Sequence, residues 1–145
     1  MKAPPKGWPR MSASVFYDDP AAAITWLCQA FGFELQLKVE GGNGEIVHSE
    51  LKLADALVMV SGVGGEEPWQ AAYRSPRGIG GAITQALAFH IDDVDAHAAR
   101  ASAAGAKIVR EPRTNDYGDD YWADRSYGAL DPEGHLWWFM QRVRG

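Results

Sequence analysis

A single cysteine, Cys28, excludes an internal disulfide, so the fold must hold without a covalent staple. A disulfide-rich secreted scaffold is ruled out, and a reducing, cytoplasmic compartment is the expectation. Cys28 falls inside an apolar helical pattern, which predicts an inert thiol rather than a nucleophile. Positive charge is scarce: 14 Lys and Arg against 19 Asp and Glu give a formal net charge of −5. Phosphate backbones are bound by clustered Lys and Arg, so no nucleic acid is expected as a partner, and an anionic membrane surface is equally disfavoured. No apolar run approaches the roughly 20 residues of a bilayer-spanning helix. Residues 1–11 begin with two lysines and three prolines and have no apolar h-region, which reads as a flexible lead-in rather than a secretory signal. There is no Gly-x-Ser-x-Gly nucleophile elbow. Gly78-Ile79-Gly80-Gly81 precedes a strand instead of opening a helix, so it is not a dinucleotide loop.

What the sequence does have is aromatic surface and a repeated pattern. Six Trp and five Tyr are available to fill a core or line an apolar pocket. Residues 12–145 are enough for one domain with a sizeable core. Ser12–Tyr17 reads as a strand stopped by Asp18-Asp19-Pro20, an Asp cap with Pro at the first helical position. Ile24, Leu27, Cys28 and Phe31 then recur at helical spacing, and Gly32 stands where a stop glycine belongs. Strands follow at Phe33–Val39, Ile46–Leu53 and Ala56–Val60, the first two joined by Gly41-Gly42-Asn43-Gly44. Residues 62–81, rich in Gly and Pro, form a linker. The second half repeats the order: strand Ile83–Ile91, a helix from Asp92-Asp93 to about Ala104, Gly105, and a strand from Lys107. An acidic, aromatic loop Asn115–Asp124 then leads to a hairpin, Arg125–Leu130 and His135–Gln141, across Asp131-Pro132-Glu133-Gly134. Asp19 and Asp92, like Gly32 and Gly105, lie 73 residues apart. A strand–cap–helix–Gly–strand order occurring twice implies duplication: an α+β domain of two tandem βαβββ modules, module one over about 12–61 and module two over about 82–142.

Three segments carry a family resemblance. Tyr17-Asp18-Asp19-Pro20 through Ala30-Phe31-Gly32-Phe33-Glu34 is similar to the first strand–helix unit of the vicinal-oxygen-chelate (glyoxalase/bleomycin resistance protein/dioxygenase) superfamily. Asp92-Asp93-Val94-Asp95 through Gly105-Ala106 resembles the second unit, and Asp131-Pro132-Glu133-Gly134-His135-Leu136-Trp137-Trp138-Phe139 its closing hairpin. The resemblance covers about Ser12 to Arg142. It implies sheets curled around a cleft with the helices on the convex side. Metal enzymes of the family carry one His, Glu or Gln ligand on the first and last strand of each half. Those places fall here on Ser12, Met59, Ala86 and Trp138, with Gln85 an alternative for the third. A catalytic metal needs about three protein ligands, so the resemblance implies a branch with no metal and no cofactor, and assigns no catalytic residue.

The function this points to is metal-independent binding or sequestration of a small molecule, aromatic or cationic. Its cleft is expected to hold Ser12, Met59, Ala86, His90 and Trp138. The loop residues Tyr121, Trp122 and Arg125 and the linker residues Trp69 and Tyr73 are expected to overhang it. Tyr and Trp offer stacking faces, Asp116, Asp119, Asp120 and Asp124 could hold a cation, and Arg125 could pair a carboxylate. Two alternatives stay open. One is a superfamily enzyme with an unusual metal or acid–base site built from His48, Glu50 and His90. The other is a ligand-free structural or regulatory dimer. A homodimer is the assembly the resemblance implies.

Overall fold

The computed structural model describes residues 1–145. β1 (Ala13–Tyr17) leads into α1 (Pro20–Phe31). The Asp19 carboxylate accepts the Ala22 N–H at 3.1 Å, satisfying one free donor of the first turn, and Pro20 occupies a position that needs no N–H. Gly32, at φ 79°, supplies the left-handed residue that ends the helix. α2 (Val94–Ala103) is built the same way with one correction: its cap is Asp93, which accepts the Ala96 N–H at 3.0 Å, and not Asp92. The caps therefore lie 74 residues apart, while Gly32 and Gly105 keep their 73. The fully buried Val94 sets the phase of α2 against the core.

Strands β2 (Glu34–Glu40), β3 (Ile46–Leu53) and β4 (Ala56–Gly62) complete the first half, in spatial order β1-β4-β3-β2. Strands β5 (Ala86–His90), β6 (Lys107–Asp116), β7 (Ala123–Leu130) and β8 (Leu136–Arg144) repeat it as β5-β8-β7-β6. In each sheet the first strand runs parallel to the last, and the other pairs are antiparallel. The fold is the expected α+β pair of βαβββ modules.

Several boundaries differ from expectation: β4 runs on to Gly62 rather than Val60, β7 starts at Ala123 rather than Arg125, and β8 spans Leu136–Arg144 rather than His135–Gln141. β5 starts at Ala86, leaving Ile83–Gln85 outside it and exposed. β6 runs on to Asp116, because Thr114, Asn115 and Asp116 pair with Arg125, Asp124 and Ala123. The acidic loop thus shrinks to residues 117–122. The linker holds two short 3₁₀ turns, Pro68–Ala72 and Pro76–Ile79.

Alternation along the strands gives each sheet two faces. Val15, Tyr17, Leu51, Val58 and Val60 of the first sheet, and Phe89, Tyr127, Ala129, Trp137 and Phe139 of the second, point inward. They meet α1 and α2 in one cluster of 20 buried residues drawn from both halves. Phe31, fully buried at the end of α1, lies with its ring centre 5.7 Å from Trp137 and 4.7 Å from Phe139 of the other half. Trp26 of α1 donates its Nε1–H to the Ala104 carbonyl at 2.8 Å, satisfying a carbonyl at the end of α2.

The Asp131–Gly134 turn ties the halves by polar contacts. Buried Asp131 accepts the Tyr17 hydroxyl at 2.6 Å, the Trp137 indole N–H at 3.0 Å, and the backbone N–H groups of Glu133 and His135. Glu133 accepts the N–H groups of Asp18 and Asp19 just ahead of α1, at 2.6 and 2.9 Å. Burial, reinforced by the Asp131 charge, holds the Tyr17 phenol well above its ordinary pKa, so it stays a donor.

Candidate functional site

The side chains free to act are those on the outward faces. In module one Ser14 and Glu50 flank Met59 in register across β1, β4 and β3. Glu50 accepts the Gln36 amide at 2.8 Å and meets the His48 Nε2 at 3.0 Å. The His48 contact is the main reason its pKa lies below the usual carboxylate range. Nearby, Phe16 and Tyr73 stack with ring centres 3.9 Å apart and form a wall of an open recess of about 700 Å³, together with Ser61 and Gln70.

The corresponding row of module two runs Ala88, Trp138, Gly128, Arg110 across β5, β8, β7 and β6. A Cβ at Gly128 would lie only 2.6 Å from Cζ3 of Trp138, so the missing side chain is what lets the indole lie flat over β7. The Arg110 guanidinium sits over that ring, 4.7 Å from its centre, and donates to the Ser126 hydroxyl. Ala88 and His90 are exposed on the same face.

The expected residues are scattered rather than gathered in one cleft. None of the four main recesses is lined by more than one of them: Tyr73 lines the 700 Å³ recess, Ala86 an apolar one of about 380 Å³ at the seam of the two sheets, and Arg125 a third. Ser12, half-buried, immediately precedes β1, and it is Ser14 that lies beside Met59. Trp69 is exposed in the first 3₁₀ turn. Tyr121 and Trp122 are exposed on the 117–122 turn, with Arg142 over Trp122 at 5.2 Å. Arg125 lies on the helix side of β7, where it holds Asp95 of α2 at 2.7 Å. Asp116 and Asp124 are engaged by Arg144 and Arg142, so that half of the acidic cluster is not free for a cation. Arg110, Ser126 and Gly128 escaped the sequence reading. The one signal for them was an isolated glycine inside a strand, which marks close approach.

The metal of the family's enzymes does not suit these side chains. A hydroxyl, a thioether, a methyl group and an indole stand at the four places, and the indole occupies the space over Gly128. Taking Ser14 and Ala88, the register neighbours of Met59 and Trp138, adds no His or carboxylate. Glu50, one strand over, is already committed to His48 and Gln36. Nowhere does the chain bring together three or more His, Cys, Asp or Glu in a metal-holding group.

Paired βαβββ modules with helices on one face and open sheet on the other define a class, and residues 11–139 match the profile of the Glyoxalase/Bleomycin resistance protein/Dioxygenase superfamily. The chain belongs to that superfamily. The uncharacterized protein Rv0887c of Mycobacterium tuberculosis is 31% identical over 138 residues, covering 94% of this chain and 76% of that protein. Mb0911c of Mycobacterium bovis matches at the same identity, over 85% of its length. The crystal structure of TioX from Micromonospora sp. ML1 superposes with a TM-score of 0.69 at 32% identity, over 94% of this chain and 98% of that one. The fosfomycin resistance protein FosX from Mesorhizobium loti shares the fold, with a TM-score of 0.56 at 20% identity over 92% of this chain and 91% of that one. No helix is long and apolar enough to cross a membrane.

Proposed function

We propose that this chain is a small-molecule binding or sequestration protein that works without a metal ion. One observation carries the proposal. Where metal enzymes of the superfamily place ligands, module two has a flat indole, Trp138, with the small residue Ala88 beside it and Arg110 stacked on it. Such a surface offers contact area and orientation to a planar aromatic molecule, and sequestration needs affinity alone. Trp138, His90, Tyr121 and Trp122 would contribute the module-two side, and Met59, Tyr73 and Trp69 the module-one side. A homodimer is part of the proposal: Leu35, Leu37 and Val39 on the edge strand β2 are all more than 40% exposed, an edge that a second copy would cover. A cytoplasmic location is proposed from the single free cysteine.

The test is a thermal-shift screen of planar aromatic compounds on the purified protein, paired with elemental analysis. The expected result is at least one stabilising compound whose effect disappears in Trp138→Ala, with no stoichiometric divalent metal. Stoichiometric metal, or silence across a broad library, would sink the proposal.

A second reading rests on a separate feature. His48 is partly exposed beside buried Glu50, and Gln36 fixes the carboxylate, an arrangement suited to a general base and its orienting group. Turnover of a bound compound that is lost in His48→Gln, with binding retained, would favour it.

A further inference from the structure

Two arginine–tryptophan stacks stand on the outward face of module two, and they differ in one respect. Arg142, over Trp122, donates its Nε–H to Asp124 at 2.6 Å, so its charge is met within the sheet. Arg110, over Trp138, has no carboxylate. None of the seven ion pairs of the chain includes it. Its one hydrogen-bond acceptor is the neutral Ser126 hydroxyl, and its Nε is enclosed with no acceptor at all. The charge that bears on it most is Arg113, of the same sign. Burial pushes its pKa down, yet a guanidinium stays protonated near neutral pH, so a cation is kept partly dry and uncompensated.

Leaving a desolvated cation unpaired costs the fold stability. The surroundings nevertheless hold it in place: Gly128 makes room for the indole, the indole supports the guanidinium, and Ser126 fixes one end. Arg110 as a whole is only partly buried, and of its nitrogens Nε alone is enclosed without a partner. Planar, bidentate recognition of a carboxylate is what an arginine, rather than a lysine, provides. Along the same face lie Ala88 and Met140, an apolar strip on either side of the line of Trp138.

We propose that Arg110 is an anion anchor, and that the ligand of this face is a planar aromatic carboxylate whose acid group meets the guanidinium while its ring lies beside Trp138. The anchor rests on the binding role proposed above and narrows it from aromatic or cationic ligands to aromatic anions.

The probe is 2-naphthoate, with 2-naphthamide as its neutral counterpart, titrated by calorimetry. Wild-type protein is expected to bind the acid about tenfold to a hundredfold more tightly than the amide, the range of a charge-assisted hydrogen bond. Arg110→Gln should erase that preference while leaving amide binding in place, and Arg110→Lys should restore part of it. Equal affinities in the wild type, or a preference that survives Arg110→Gln, overturn the anchor. Binding of both probes without preference sinks the anchor and spares the binding role. Binding of neither at millimolar concentration also sinks the anchor, and the binding role is then judged by the compound screen alone. The wild-type comparison needs no variant, so it decides even where Arg110→Gln does not fold.

Discussion

The outward face of module one carries a carboxylate whose partners both come from its own sheet, whereas that of module two carries a guanidinium left short of one. Glu50 has His48 and Gln36, while Arg110 has only Ser126. The inward faces diverge less: both are mainly apolar and feed one cluster. After a duplication, the two inner faces are bound by a shared requirement, since each must pack against the helices and the other half at interior density. The outer faces carry no such requirement. They are free to differ in charge and shape, and it is there that specificity for a ligand can arise.

The shared interior makes the largest prediction. Phe31→Ala removes a fully buried ring that belongs to α1 but packs on Trp137 and Phe139, and should cost about 3–5 kcal/mol. Urea unfolding followed by both tryptophan fluorescence and far-UV circular dichroism should show one displaced, coincident transition. Two separated transitions would mean that the modules are independent after all.

Gly128→Ala strikes only the outward face of module two. The new methyl group would meet the Trp138 ring, forcing the indole off β7 at about 1–3 kcal/mol. Lost stability together with lost binding of any ligand found in the screen is the expected pair of results. A variant as stable as the wild type would show that the indole has another resting place.

The smallest effect concerns the helices. Counted from the caps, His97 of α2 stands where α1 has Ala23. Its Nδ1 meets the Tyr127 hydroxyl at 2.6 Å and its Nε2 the Phe31 carbonyl at 2.8 Å, and burial lowers its pKa. The folded state thus favours the neutral ring. The unfolded chain takes up the proton first, and stability falls as pH drops below the ordinary histidine value of about 6.5. Denaturant midpoints measured from pH 8 to pH 5 should decline in the wild type and decline less in His97→Gln. Parallel curves would remove His97 from the account.

Much of the fold was readable because its signals are local. Asp19 with Pro20, and Gly32, mark helix ends by the bonds they make or avoid, and alternation along Phe33–Val39 marks a strand. Where two neighbouring residues could do the same job the reading slipped: Asp92 and Asp93 are equally good caps, and only the burial of Val94 separates them. β6 continues through Pro112 to Asp116, into residues expected in the acidic loop. Pro112 is tolerated for a physical reason. It sits on an edge strand that pairs only with β7, where a missing N–H need cost nothing. The site was less legible for a related reason. Arg125 shares strand parity with the buried Tyr127 and Ala129, so its direction follows once β7 is known to start at Ala123. Arg110 could not be found that way, because its isolation is a statement about which carboxylates are far from it in space.

The Tyr17–Asp131 bond has a bearing on how the chain is made. Its partners are 114 residues apart. At a synthesis rate of about 5–20 residues per second, the first strand emerges on the order of ten seconds before the aspartate exists. Through that interval Tyr17, Val15 and the apolar side of α1 have no other half to close upon, and chaperones would meet module one as an unfinished surface. The hairpin turn that later supplies Asp131 and Glu133 is then the event that ties module one to module two.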